Sequence, residues 1–262
     1  MELKDRRATT WPVPARSGTG RGPEGAVVTE REERLRDEIG DILSGGPDRG
    51  FEKIAGLGEL FVRDRLDLVF DEIAHEDGTF ARHADDAELP ADGLVTGIGV
   101  IDGRKVAFTA NDYTVKAGSL GGMGVEKVVR IQERAMDLGI PMLRLVDSTG
   151  ARLNAEERDP GDTHMDRYRG GRMFYNQCVM SGQVPRIGVL YGPDVAGSVD
   201  LVVPDEAAAA ERVRELVGLL PQDYTESPPA APARPPAKNP GGLDAVIPEE
   251  PDRPYDVHGV IE

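Results

Sequence analysis

The sequence predicts an α/β fold, and three observations carry that reading. Apolar residues recur at helical spacing in some segments and as short alternating or continuous runs in others. The two kinds of segment take turns along the centre of the chain, with glycine and proline stretches between them. At 262 residues the chain is long enough to bury a full core, in one large or two small domains.

Glu30–Leu43 reads as a polar helix, with Leu35, Ile39 and Leu43 at four-residue spacing, and Gly45–Pro47 stops it. Phe51–Glu72 is a second helical region carrying Leu57, Leu60, Phe61, Leu66, Leu68 and Val69. These two helices precede the main domain and pack on it or on a partner subunit. Leu94–Val100 alternates as a strand, Asp102-Gly103 is a two-residue turn signal, and Lys105–Asn111 returns as a second strand. Val125–Leu138 is an amphipathic helix with Val125, Val128, Val129, Gln132, Ala135 and Met136 on one face. Gly139, followed by Pro141, ends it.

Met142–Val146 is a short buried strand. Tyr168–Gly182 is another helix, with Met173, Phe174, Gln177, Cys178 and Met180 turned inward, so Cys178 and Met180 are expected in the core. Pro185-Arg186 leads into the strand Ile187–Tyr191. Leu201–Pro204 reads as a further short strand, and Glu206–Leu220 as an Ala-rich helix stopped by Pro221. Ten of the twenty prolines lie between Pro221 and Pro254, which predicts an extended or disordered tail. Met1–Thr29, rich in Arg, Gly and Pro, reads as disordered. The centre is therefore hairpin, glycine loop, helix, strand, glycine loop, helix, strand, and that alternation argues for parallel pairing.

A formal charge of −16 and a pI of about 4.7 argue against nucleic acid and anionic membrane surfaces as partners. The charge is uneven: from Asp102 to Arg144 seven Lys/Arg face five Asp/Glu, a strip that suits an anionic small molecule or is ordinary surface charge. The single cysteine, Cys178, rules out an intrachain disulfide and a thiolate zinc site. No apolar run approaches a membrane span and no signal core is visible, so a cytoplasmic location is the expectation.

Two glycine loops, Lys116–Gly124 and Ser148–Arg152, bracket the helix and strand at the centre. Such loops present backbone N–H groups to a phosphate or to a carbonyl that is gaining charge. A phosphate cradle wants a Walker pattern, which Gly-Gly-Met-Gly-Val-Glu-Lys lacks in spacing and in the Ser/Thr after Lys. A dinucleotide fingerprint opens the first strand–helix unit, whereas these glycines follow a hairpin. An acyl-CoA site with an oxyanion hole fits the loop, the extended ligand and the helix start. His164 and the cluster Arg167, Arg169 and Arg172 are weaker candidates, for a base and an anion site, against solvated surface roles. No Ser/His/Asp order or metal-ligand spacing stands out.

These residues carry a resemblance. Gly93–Gly192 resembles the N-terminal domain of the biotin-dependent acyl-CoA carboxyltransferases, the β subunits of propionyl-, acetyl- and methylcrotonyl-CoA carboxylases. The similar stretches are GLVTGIGVIDGRKVAFTAND, TVKAGSLG, EKVVRIQERAMDLGIP, VDSTGARL and RGGRMFYNQCVMSGQVPRIGVLYGP, the last nearest the methylcrotonyl type. Upstream, ELFVRDRLDLVFDE resembles the family's helical lead-in; downstream, LDAVIPEEPDRPYDVHGVIE resembles its interdomain linker.

The resemblance implies a crotonase-like spiral core. The implied layout is a disordered start over residues 1–29, a helical lead-in over 30–92, the carboxyltransferase N-domain over 93–220 and a Pro-rich tail over 221–262. It implies that this core is shortened, with elements skipped near Gly197–Ser198, and that the chain stops where a second domain would begin. It implies a coenzyme A thioester as substrate, held by Lys116, Ala117, Gly118, Ser119, Leu120 and Gly121, with Lys127 and Arg130 one helical turn apart and facing CoA phosphates. The thioester enolate would be stabilised by backbone N–H groups at Thr149, Gly150 and Ala151, worth about 3 kcal/mol per donor. Thr149 stands where the family has a second glycine, and its β-branched side chain resists a positive φ and narrows the pocket.

Implied partners are a chain carrying the carboxyltransferase C-domain, a biotin carrier and a biotin carboxylase, in a hetero- or homo-oligomer, with biotin carried by a partner. The implied reaction is carboxyl transfer or decarboxylation. Two other readings stand beside it: a catalytically degenerate structural or regulatory subunit of a carboxylase complex, and a crotonase-like hydrolase or isomerase with an Asp or Glu base.

Overall fold

The hairpin at the centre forms where the sequence places it. In the computed structural model, which describes residues 29–81, 89–152, 170–191, 199–233, 235, 242, 246–250 and 253–255, β2 (Leu94–Ile101) and β3 (Arg104–Asn111) pair antiparallel across Asp102-Gly103. Both residues of that turn have positive φ, as a tight two-residue hairpin requires. β4 (Met142–Val146) joins β3 in parallel, and β5 (Arg186–Leu190) joins β4 in parallel. A strand absent from the sequence reading, β1 (Glu72–Asp77), pairs antiparallel with β2, giving the sheet order β1-β2-β3-β4-β5.

Three helices precede the hairpin: α1 (Glu30–Leu43), α2 (Asp48–Leu57) and α3 (Val62–Val69). Thr29 belongs to α1 as its N-cap: its hydroxyl accepts from the Glu32 N–H, and the Glu32 carboxylate accepts from the Thr29 N–H at 2.6 Å. The region expected as one helix over Phe51–Glu72 is broken, because Gly58 takes a left-handed conformation and caps α2. The junction after α1 docks on the main domain, where the Gly46 N–H donates to the Thr114 hydroxyl at 2.8 Å.

The sheet is covered on both faces. On one, α3 and α6 (Glu206–Gly218) close a core of Leu66, Val69, Phe70, Val106, Phe108, Leu143, Leu145, Val213 and Val217. On the other, α4 (Gly122–Leu138) and α5 (Gly170–Met180) bury Ile131, Ala135, Met142, Met180 and Val184. Arg214 of α6 ties the two ends together, donating to Asp71, Asp102 and the Val69 carbonyl.

Other expectations are corrected. Leu201–Pro204 is not a strand, and Val202 is 89% exposed. Met180 is buried as expected, but Cys178 and Phe174 are exposed, because α5 turns Gly170, Asn176 and Met180 inward instead. The start of the tail is ordered by local bonds, Asp223 accepting from the Thr225 N–H and hydroxyl. The chain divides after Pro228; in the second stretch, Pro229–Glu262, the Arg253 N–H donates to the Glu250 carbonyl at 3.2 Å. The expected disorder over residues 1–28, the loop with His164, Arg167 and Arg169, and the Gly197–Ser198 junction lie outside the described residues.

Lys127 on α4 is 1% exposed, and its ammonium donates to the carbonyls of Ala91, at 3.0 Å, and Leu94. Burial pulls its pKa down to about 8 from 10.5, against the opposing pull of Glu76 and Asp92. A neutral amine keeps two N–H donors, enough for both carbonyls. Since the folded pKa lies below the unfolded one, the unfolded chain binds the extra proton between these values, and stability rises with pH across that window. We expect denaturant unfolding of the wild type to gain on the order of 2 kcal/mol relative to Lys127→Met between pH 8 and 10.5. Parallel pH profiles for the two proteins would refute the depressed pKa. Cys178 gives a second check: in native buffer a thiol reagent should modify it within a few-fold of the denatured rate, whereas protection would place it in the core.

Candidate active site

Parallel neighbours send their following segments out at the same end of a sheet. The segment after β3 and the segment after β4 therefore emerge side by side. They zip together: the Leu120 N–H donates to the Gly150 carbonyl and the Arg152 N–H to the Leu120 carbonyl, both at 2.9 Å. Leu120 and Ala151 face each other in a short parallel bridge. The loop residues Lys116–Leu120 and Thr149–Ala151 named from the sequence are thus brought together.

The approach depends on a left-handed turn. Lys116, Ala117 and Gly118 have φ of 48°, 53° and 63°, and a β-carbon at Gly118 would collide with the Asp147 carbonyl oxygen. The Asn111 amide holds the Gly118 carbonyl at 2.9 Å, and the Ser119 hydroxyl donates to the Lys116 carbonyl at 2.8 Å. A second left-handed turn lies nearby, at Ala91, Asp92 and Gly93, with φ of 50°, 53° and 69°. Non-glycine residues in this region cost about 1–3 kcal/mol each and collect where geometry serves function.

The donors differ from those expected. The Thr149 N–H and hydroxyl both go to the Ala117 carbonyl, at 3.2 and 3.3 Å, and the Gly150 N–H goes to the Ser148 hydroxyl at 3.1 Å. No hydrogen bond to another described residue is recorded for the N–H of Ala151, and the N–H groups of Gly121, Gly122 and Met123, the first of α4, have no partner within the helix. The dipole of the 17-residue α4 adds positive potential at that end.

The pair Lys127 and Arg130 does not form a joint phosphate contact. Lys127 is inside, held by backbone carbonyls, and the exposed Arg130 pairs with Asp77 of β1. Lys116 is the cation that loop one exposes.

Two ion clusters brace the loops, and the sequence reading missed both. Arg152, 6% exposed, donates to Asp92 Oδ1 at 2.6 Å and to the Ser119 carbonyl at 2.9 Å, while Asp92 Oδ2 accepts from the Gly124 N–H at 2.6 Å. Behind the second loop, Arg65 donates to Asp147 at 2.9 Å and to Glu206 at 2.6 and 2.9 Å, and lies 3.6 Å from the Tyr191 ring centroid. Burial raises the Asp147 pKa despite Arg65, and burial and then Asp147 raise that of Glu59. Asp92 and Asp147 are both ion-paired, so neither is a free base for isomerase or hydrolase chemistry. Their only trace in the sequence is an Asp before Gly93 and an Arg closing the second glycine loop; partners 60 residues apart leave no local signal.

The family model for the carboxyl transferase domain matches residues 56–199 and 194–262. The chain is 35% identical to the uncharacterized carboxylase YngE of Bacillus subtilis (strain 168) over 287 residues, covering 89% of this chain and 54% of YngE. It is 36% identical to methylmalonyl-CoA decarboxylase subunit alpha of Veillonella parvula over 182 residues, covering 66% of this chain and 34% of that one. Among solved structures, transcarboxylase 12S with methylmalonyl-coenzyme A and methylmalonic acid bound superposes with a TM-score of 0.68 at 28% identity, over 90% of this chain and 56% of that one. The chain spans about half the length of YngE and of 12S. No helix among the described residues is long and apolar enough to cross a membrane. The zipped loops, the parallel strands that carry them and the two matched stretches agree: this chain belongs to the carboxyl transferase domain family and has its crotonase-like α/β fold.

Proposed function

We propose that this chain binds an acyl-CoA, or an acyl thioester on a carrier protein, along the two zipped loops and stabilises its enolate for carboxyl transfer or decarboxylation. The observation that carries the reading is the N–H groups of Ala151 and of the start of α4, carried on two loops that zip together and are braced by buried ion pairs. Fixed donors of this kind act on charge that develops at a thioester oxygen. Lys116 supplies an exposed cation on the same loop for the anionic end of the ligand. In decarboxylation the bond between the α-carbon and the carboxylate breaks. Its electron pair becomes the thioester enolate, carbon dioxide leaves, and a solvent proton then closes the α-carbon. Carboxyl transfer uses the same enolate as the nucleophile. The carboxyl donor, biotin and a biotin carboxylase belong to partner chains, a second carboxyltransferase domain completes the site, and no residue here is assigned to biotin.

One observation favours a second reading, a structural or regulatory subunit. Thr149 closes its loop with both its N–H and its hydroxyl on Ala117.

The test is titration of propionyl-CoA, with carbon dioxide release from methylmalonyl-CoA as the turnover readout. Both use this chain alone and mixed with a second carboxyl transferase domain. We expect binding by the wild type and at least a ~10-fold loss in Gly118→Ala, whose β-carbon would force the loops apart. No binding and no turnover in any combination would sink the ligand reading. Binding without turnover, in all combinations, would leave the structural one.

A further inference from the structure

The guanidinium of Arg152 contacts the Ala91–Gly93 turn and the first glycine loop and lies against the N-terminus of α4. From the end of the second loop, its Nη1 donates to Asp92 Oδ1 at 2.6 Å; its Nη2 donates to the Ser119 carbonyl at 2.9 Å and the Asp92 carbonyl at 3.4 Å; its Nε reaches the Ser119 hydroxyl at 3.4 Å. A β-carbon at Gly121 would lie 2.5 Å from Nη1, so the guanidinium also lies against the N-cap residue of α4. Asp92 completes the contact by taking the Gly124 N–H at 2.6 Å. Asp92 itself is held in a left-handed turn whose flanking carbonyls, Ala91 and Leu94, both bond the buried ammonium of Lys127.

We infer that Arg152 and Asp92 are positioning residues that fix the distance between two sets of donors: the Ala151 N–H on one side and the Gly121–Met123 N–H groups on the other. This rests on the reading that an acyl thioester lies along these loops. The pair is buried, so it meets no ligand itself; it acts through the backbone on either side. Ala151 precedes Arg152 in the chain, and Gly121–Met123 are pinned between Ser119, which Arg152 holds, and Gly124, which Asp92 holds. Loosening the pair lets the two donor sets drift apart while each loop keeps its own surface. The consequence falls on the charge that develops in the transition state, which depends on fixed donors, more than on ground-state binding.

Arg152→Lys keeps the charge but loses the fork that reaches Asp92 and Ser119 together. Asp92→Asn keeps an oxygen for Gly124 and removes the ion pair. We expect kcat for methylmalonyl-CoA decarboxylation to fall about 10- to 100-fold in each, the scale of a sub-ångström to ångström misplacement, with KM within about three-fold of wild type. In Arg152→Ala, added guanidinium ion should restore part of kcat without changing KM. Amide resonances give a readout apart from turnover: in Arg152→Lys those of Ala151 and Gly121 should shift, while those of β2 should not. A folded Arg152→Lys with unchanged kcat, or with raised KM at constant kcat, overturns the positioning role while leaving the function reading intact. A wild type that neither binds nor turns over a CoA thioester overturns both.

Discussion

β3 and β4 run parallel and lie next to each other, and nearly everything that defines the site depends on that pairing. A parallel pair needs a crossover, here α4, which must begin at the end where β3 stops and return to the end where β4 starts. The loop after β3, the loop after β4 and the positive end of α4 are thereby gathered at one edge of the sheet. An antiparallel partner for β3 would have put the two loops at opposite ends. The proposed function rests on backbone N–H groups, so strand direction gathers the candidate site and side chains only refine it.

That refinement is electrostatic. The segment Asp147–Arg152 is gripped at both ends, Asp147 by Arg65 and Arg152 by Asp92. Burying such ions costs several kcal/mol each in lost hydration, and a well-packed apolar replacement is often as stable. A chain with a net charge of −16 nevertheless places Arg65 and Arg152 in its interior at these two points. The left-handed turns at Ala91–Gly93 and Lys116–Gly118 sit beside them, so local strain and buried charge occupy the same small volume. Ion pairs with two or three directional bonds can hold a strained backbone in one place, which a slippery apolar contact cannot.

Elements with a strong period and local stop signals were legible. Met142–Val146 coincides with β4, the hairpin is off by one residue, and Gly139 caps α4 as its sequence suggests. The failures are long-range. α4 starts three residues before Val125, over Gly122–Gly124, because an Asp92 carboxylate 32 residues away caps the Gly124 N–H. β1, with the sequence EIAHED, has no apolar alternation and becomes a strand through its pairing with β2. Lys127 looked like a surface cation because its true partners, two carbonyls before and within β2, are more than 30 residues away. The two loops themselves were legible as glycine patterns. Which of their N–H groups stay unbonded was not, since the choice depends on the register of one loop against the other.

The sheet order gives these loops a protected place. β3 and β4 have strands on both sides, while β5 is an edge on which Arg186, Gly188 and Leu190 are exposed and Ile187, Val189 and Tyr191 only partly covered. Local opening begins at such edges and reaches fully paired strands last. The donors are set by β3, β4, α4 and the two ion pairs between them, and α6, beyond β5, anchors one of those pairs through Glu206 on Arg65.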